Sequence, residues 1–211
     1  MEDTNDKIYA ESLIELPLDK RILSLRAEAL SRHIPVTEDA SLQYLIVLLT
    51  ALQPKRILEV GPAVGLSAAA MLSVCPNARL TTIEIEEERY IEAKKNLHDL
   101  GYADRAVCHL GDAGEILSLM DATYDFVFLD GPKAQYPRYM TELKRMLPQG
   151  GVVFADDVLL FGWVSGQTPT PEKHKLFVKH MREYLKNLSE DKDFVTQILP
   201  IGNGVALSVK R

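Results

Sequence analysis

Cysteine is scarce in this chain: two among 211 residues, Cys75 and Cys108, far apart and without C-x-x-C spacing. That excludes a disulfide framework and a cysteine zinc site, and makes a reducing, cytoplasmic setting the expected one. An excess of positive charge is also missing. Lys and Arg number 24 against 30 Asp and Glu, for a net charge of -6 and a pI near 5.4. The field of the whole protein therefore disfavours polyanions, although a local basic patch can act against that field. No long apolar run is present. The longest, Leu45 to Leu52 with Thr50 inside it, is too short to span a bilayer. The first residues, M-E-D-T-N-D-K, are polar and acidic, so no signal peptide is expected. None of the five histidines pairs with another at ligand spacing, and the G-x-G-x-x-G of dinucleotide enzymes does not occur.

What is present suits one domain over residues 1–211, with 46% hydrophobic and 26% charged residues. The first 53 residues read as helical. Apolar positions recur at helical spacing over Ile8–Leu16 and Leu18–Arg32, with Asp19 as an expected N-cap, and again over Glu38–Leu52. From residue 54 onward strands and helices alternate. Strands are expected at Ile57–Val60, Leu80–Ile85, Ala106–Leu110, Phe126–Leu129 and Val152–Ala155. Helices are expected at Leu66–Val74, Glu87–Leu100, Ala113–Met120 and Arg138–Leu147. This order predicts an α/β fold with a parallel sheet covered on both faces. A last helix, Glu172–Leu188, precedes two strands, Phe194–Pro200 and Gly204–Val209. The I-G-N-G between them predicts a hairpin, hence an antiparallel strand in the sheet. Gly162–Pro171 is the one long loop candidate.

The stretch R-I-L-E-V-G-P-A-V-G-L-S (Arg56–Ser67) reads as strand, glycine turn and helix N-terminus, an arrangement that opens a crevice lined by backbone N–H groups. Gly61 and Gly65 follow Glu59 as E-x-G-x-x-x-G. Pro62 and Val64 occupy positions that a phosphate-cradling loop keeps bare, so a nucleoside cofactor without a pyrophosphate, S-adenosylmethionine, fits better than a dinucleotide. Glu84, at the end of the second strand, can accept hydrogen bonds from both ribose hydroxyls. Asp112 and Ala113, after the third strand, lie where an adenine amino group would come. Singly, Glu84 reads equally well as the start of an exposed acidic run and Asp112 as a helix N-cap; together with the glycine turn they point to the cofactor.

The fourth strand stops at Asp130 and the fifth at Asp156 and Asp157. Ligands in open α/β sheets bind beyond the carboxyl ends of strands. Three carboxylates there suit a hard cation such as Mg²⁺, able to lower the pKa of a substrate hydroxyl. Lys133 is the candidate base, on condition that the site lowers its own pKa. A solvated turn and a surface lysine are the plain alternatives for an isolated D-D pair and an isolated lysine. Tyr136, Phe161 and Trp163 flank these residues and are candidates for stacking on a flat ring.

The series I-L-E-V-G-x-A-x-G-x-S, I-E, G-D-A, F-L-D-x-x-K-x-x-Y and D-D-V-L resembles the metal-dependent O-methyltransferases, which include catechol and caffeoyl-coenzyme A O-methyltransferases. The likeness runs from about Ile34 to Phe161 and resumes at L-P-I-G-N-G. Within that family the chain is most similar to bacterial tRNA 5-hydroxyuridine methyltransferases, through P-K-R-I-L-E, E-E-R-Y and K-x-Q-Y-x-R. The resemblance implies a three-layer Rossmann-like methyltransferase fold with a seven-stranded, mostly parallel sheet and an antiparallel C-terminal hairpin strand. It implies extra N-terminal helices (residues 1–53) covering the site of a sheet core (54–211), and a homodimer. It further implies that Asp130, Asp156 and Asp157 bind Mg²⁺, that Thr37, Ser67, Glu84, Asp112 and Asp130 contact S-adenosylmethionine, and that Lys133 is the base. The acceptor would be the wobble 5-hydroxyuridine of a tRNA anticodon loop or, as the alternative, a small catechol or phenol. A basic rim from Pro171–Lys192, with Arg138, Lys144 and Arg145, would serve the tRNA; a solvated amphipathic helix is the other reading. A non-catalytic S-adenosylmethionine-binding protein is the remaining class, disfavoured by the clustered carboxylates. The chain departs from the family pattern at Asp157, where Asn is usual, at Pro62, at Thr37, where the tRNA enzymes carry Met, and at Asn203, where Asp is usual.

Overall fold

Short apolar strands alternating with amphipathic helices fold as that alternation requires. The computed structural model describes residues 2–211, with side chains from residue 5 onward. Strands β1 (Arg56–Val60), β2 (Arg79–Glu84), β3 (Ala106–Leu110), β4 (Phe126–Leu129), β5 (Val152–Ala155), β6 (Phe194–Leu199) and β7 (Val205–Lys210) form one sheet in the order β3-β2-β1-β4-β5-β7-β6. The first five pair in parallel, while β7 runs antiparallel to both β5 and β6. Gly202 and Gly204 take positive φ in the tight connection between the last two strands, a conformation glycine reaches without strain.

Successive side chains alternate between the sheet's two faces, which gives two core layers. On one face Ile57, Phe126, Phe128 and Phe154 meet α2 (Lys20–Ser31), α3 (Asp39–Leu52) and α4 (Leu66–Val74), with Leu97 of α5 (Glu87–Asp99). On the other, Leu58, Val60, Val127, Leu129 and Val153 meet α6 (Ala113–Leu119), α7 (Tyr136–Met146) and α8 (Lys175–Glu190). All residues of β4 and β5 are buried. Phe154 packs against Phe126 and Phe128 with ring centroids 6.5 and 5.6 Å apart. Each such ring removed from water contributes roughly 2–3 kcal/mol. Helix α4 is buried on every side from Leu66 to Leu72, and the small side chains of Ala68, Ala69 and Ala70 let it sit between sheet and α3.

The N-terminal helices differ from expectation at their ends. The first, α1, runs Glu2–Ser12 rather than Ile8–Leu16, and its Ile8 and Tyr9, with Leu13 just beyond, are exposed. Apolar spacing without burial does not set a helix boundary; the acidic first residues favour an earlier start. Helix α2 begins at Lys20 because Asp19 accepts the Arg21 N–H at 2.8 Å, as an N-cap should. Helix α7 starts two residues early, at Tyr136, and α8 starts at Lys175 after a single 3₁₀ turn over Glu172–His174. The expected long loop reaches further back, so that residues 156–171 contain neither helix nor strand. Among the described residues no helix is long and apolar enough to cross a membrane.

Candidate active site

The residue just past each of β1, β3, β4 and β5 stays pinned to the neighbouring strand. Gly61 N–H donates to Ile83 O (3.0 Å), Gly111 N–H to Glu84 O (2.8 Å), Asp130 N–H to Val60 O (3.0 Å) and Asp156 N–H to Leu129 O (2.9 Å). These bonds hold the strand ends at one rim. The connections reverse direction between β1 and β4, and a crevice opens there.

Gly61 and Gly65 both have positive φ (87° and 82°). A Cβ on Gly61 would lie 2.8 Å from the Asp130 carbonyl oxygen, so the β1–α4 turn can pass the β4 end only with glycine there. Beside it is a crevice of about 140 Å³ lined by Gly61, Glu84, Asp112 and Ala113, with Pro132 and Tyr139 opposite. Glu84 is nearly buried; its carboxylate accepts from the backbone N–H groups of Ile85 (2.8 Å), Glu86 (3.0 Å) and Ala63 (3.2 Å). The exposed-run reading of Glu84 is thereby replaced by a fixed carboxylate at the rim. Asp112 caps α6 by accepting the Glu115 N–H (2.9 Å) and also takes Arg138 Nη1 (3.2 Å), so the capping and the rim position coexist. Ser67 does not line this crevice; its hydroxyl donates to the fully buried Glu59 at 2.5 Å. Thr37 is buried at the entry to α3, where its carbonyl accepts from Arg26 (3.1 Å), and it too lies outside the crevice lining.

The second group gathers at the β4 and β5 ends. Lys133 Nζ donates to Asp130 Oδ1 at 2.6 Å and stands 3.8 Å from Asp157 Oδ2. Burial alone would pull this ammonium down, but Tyr136 and the Asp130 and Asp157 carboxylates outweigh it and hold Lys133 above the ordinary lysine range. The lowered value that a base needs is thus not what this arrangement produces. Asp130 is raised, chiefly by burial, and Lys133 offsets part of that. Asp156 is 1% exposed, and neither of its carboxylate oxygens has a hydrogen-bond partner. Burial, then the Asp130 and Asp157 charges, push it up to about 7. The Ser41 hydroxyl of α3 lies against it, also buried and without a bond of ordinary geometry. Among the described residues no three His, Cys, Asp or Glu side chains stand at metal-holding spacing; the Lys133 ammonium is drawn among the carboxylates instead.

One contact at this end has no local signal in sequence. Asn203, in the β6–β7 turn, donates from Nδ2 to Glu38 Oε1 at 2.8 Å across 165 positions, and its carbonyl accepts the N–H groups of Leu159 and Leu160. It thus ties α3 to the loop after β5. That loop holds Asp157, Leu160 and Phe161 at positive φ (57°, 48° and 55°). Asp tolerates this conformation, whereas Leu and Phe pay about 1 kcal/mol or more each. Phe161 is exposed and meets Trp163 edge-on, and Trp163 stacks on His174 with centroids 4.9 Å apart. Tyr136 is not available for stacking: it is fully buried, with its hydroxyl donating to Leu129 O at 2.9 Å. Helix α7 starts early enough to turn that ring into the core.

Wider grooves exist between α8 and the residues before it (about 640 Å³, lined by Lys175, Lys179 and Arg182) and between α7 and α8 (about 320 Å³). Neither contains any of the strand-end carboxylates.

Comparison with known proteins shows the family. A family model described as O-methyltransferase matches residues 15–211. A Mycobacterium avium protein provisionally named an O-methyltransferase is 32% identical over 170 residues, covering 79% of this chain and 75% of its own. The crystal structure of a Staphylococcus aureus protein, provisionally named a caffeoyl-CoA O-methyltransferase, is 29% identical and superposes with a TM-score of 0.88 over 98% of this chain and 99% of its own. The O-methyltransferase TomG of Streptomyces achromogenes, involved in tomaymycin synthesis and solved with S-adenosylmethionine, is 26% identical with a TM-score of 0.81, over 98% and 96% of the two chains. The chain belongs to the O-methyltransferase family and is an S-adenosylmethionine-dependent O-methyltransferase.

Proposed function

We propose that this enzyme methylates an aromatic hydroxyl of a small catechol- or phenol-type acceptor and that it needs a divalent cation, Mg²⁺ in the first instance, held by Asp130, Asp156 and Asp157. The observation that carries the cation is Asp156: a buried carboxylate with two unpartnered oxygens, beside two more carboxylates. An all-oxygen donor set of this kind suits a hard cation, and an orphaned buried carboxylate is costly without one. When bound, such a cation supplies the positive charge that acidifies an acceptor hydroxyl.

The remaining work falls to side chains. Glu84 would accept both ribose hydroxyls of the methyl donor, with Asp112 and Ala113 bounding the adenine, as their positions around the crevice suggest. Lys133 Nζ is protonated in its ion pair with Asp130. It can take the acceptor's proton only once Asp130 is engaged elsewhere and the ammonium loses that anionic neighbour. Exposed Phe161 offers a ring face to a flat acceptor.

The electrostatics favour a small acceptor over tRNA. On and beside α8, Lys175 pairs with Glu172, Lys179 with Glu183 (3.8 Å) and Lys186 with Glu190 (4.0 Å), while Lys144 pairs with Asp191 (2.6 Å). The basic rim is largely neutralised at its own surface. The exposed apolar side chains Ile8, Tyr9, Leu13, Leu30 and Val47 of the N-terminal region would be covered in the homodimer we also propose, readable as a solution mass twice the 23.6 kDa of the chain.

The test is methyl transfer from labelled S-adenosylmethionine to 3,4-dihydroxybenzoate, to caffeoyl-coenzyme A and to tRNA from a strain lacking the gene, each with Mg²⁺ and with excess chelator. Label in a phenolic acceptor that disappears with chelator is the expected result. Label in tRNA alone moves the acceptor to the wobble 5-hydroxyuridine, and undiminished transfer in excess chelator removes the cation.

A further inference from the structure

Beneath the β1–α4 turn, a carboxyl group sits where no protein cation reaches it. Glu59 of β1 is 0% exposed. Its Oε1 takes the Ser67 hydroxyl of α4 at 2.5 Å. Its Oε2 has no hydrogen-bond partner, and neither has the hydroxyl of Thr82, its register partner on β2. The titratable groups that face it are Glu84 at the end of β2, Asp130 at the end of β4 and the Cys108 thiol of β3; α4 contributes only Ser67. The two charged groups that act on it most strongly, Asp130 and Glu84, are both carboxylates. An ionised carboxyl in such a place is expensive without a counter-charge. Burial first, then the Asp130 and Glu84 charges, push Glu59 up to about 7 against the hydrogen bond of Ser67.

The methyl donor carries one positive charge more than its product, because the donor's sulfur is a sulfonium and the product's a neutral thioether. The adjoining crevice, walled by Gly61 two residues from Glu59 and by Glu84, is where that charge arrives. We propose that Glu59 is a positioning residue that holds its proton in the empty enzyme and releases it to solvent when S-adenosylmethionine enters, so that donor is preferred over product as pH rises. No bond to the cofactor forms or breaks; Glu59 acts through its charge and through Ser67 at the start of α4. The inference rests on the cofactor occupying the crevice of Gly61, Glu84 and Asp112.

Linkage fixes the sign. If donor binding expels a proton, donor affinity rises with pH, by at most about tenfold per pH unit for one proton. Calorimetric titration of the intact enzyme with S-adenosylmethionine and with S-adenosylhomocysteine, between about pH 6 and pH 8, is the test. The donor should tighten by about tenfold over that range and the product by less than about twofold. Repeating the donor titration in buffers of different ionisation enthalpy should show proton release. Glu59→Gln, which fixes the uncharged form, should bind the donor at the higher pH no better than the wild type does at the lower, with no slope. Equal slopes for donor and product in the wild type overturn the proposal, as does a donor slope that survives in Glu59→Gln, which would belong to Asp156. If Glu59→Gln does not fold, the wild-type pair of slopes and the proton release decide alone. Failure of both nucleosides to bind at any pH overturns the crevice assignment along with it.

Discussion

Asp156→Ala is expected to lower kcat for methyl transfer by roughly a thousandfold while S-adenosylhomocysteine still binds within a few-fold of wild type. The asymmetry comes from placement: Asp156 follows β5, whereas the crevice proposed for the adenosine is lined from β1, β2 and β3 ends that the substitution does not touch. Removing a charged group aimed at the reacting centre typically costs two to three orders of magnitude, about 3–4 kcal/mol. Stability should move the other way. The folded protein holds Asp156 near 7, well above an ordinary carboxyl. The group therefore favours folding at acid pH, and that contribution is lost as pH rises through about 7. Asp156→Ala removes the loss, so the cation-free variant should melt no lower than wild type at about pH 8 and have a flatter dependence of Tm on pH. A fully active variant, or one that melts several degrees lower at that pH, would contradict the account.

Gly61→Ala is expected to abolish cofactor binding and to destabilise the fold by about 3 kcal/mol or more. At φ 87° the new Cβ is strained by itself, and it would lie 2.8 Å from the Asp130 carbonyl oxygen and 2.9 Å from Gly131 Cα. These are backbone atoms of the β4 end, which cannot swing aside as a side chain can. Either β1 and β4 part at the rim or the turn rebuilds, and both outcomes destroy the crevice. Gly101→Ala is the control. Its φ is 85° but nothing lies within 4 Å of a Cβ there, so only the conformational cost of about 1–2 kcal/mol applies. For a chain of this length each kcal/mol lowers Tm by roughly 2–4 °C. Similar melting temperatures for the two variants would show that close approach at the rim is not what Gly61 provides.

These two positions also show what could be read from sequence. Gly61, Glu84, Asp130 and Asp156 were legible because strand ends are legible: β4 and β5 are apolar runs buried on both faces, and each stops at a carboxylate. Helix α4 was legible for the same reason, since an Ala-rich segment beside a glycine turn has only the sheet to pack on. The ends of α1 were not, because Ile8, Tyr9 and Leu13 have helical spacing without a buried face. The clamp of Asn203 on Glu38 joins residues 165 apart and has no local signature. The charge state of Lys133 was not legible for a different reason. It depends on Tyr136, Asp130 and Asp157 converging on it in space, and together they reverse the direction that burial alone would give. Tyr136 was misplaced because two residues of helix start decide whether its ring faces the site or the core.

The central claim is that one rim holds both the methyl donor and the cation, the donor at the β1, β2 and β3 ends and the cation at β4 and β5. A crystal structure of the enzyme grown with S-adenosylhomocysteine and Mn²⁺ tests it most directly, since the anomalous signal locates the metal independently. The expected map shows the ribose hydroxyls on the Glu84 carboxylate, the adenine beside Asp112 and Ala113, a manganese peak on Asp156, and Lys133 withdrawn from Asp130. A nucleoside lodged in the α7–α8 groove, or a full-occupancy manganese peak away from Asp156, would contradict it.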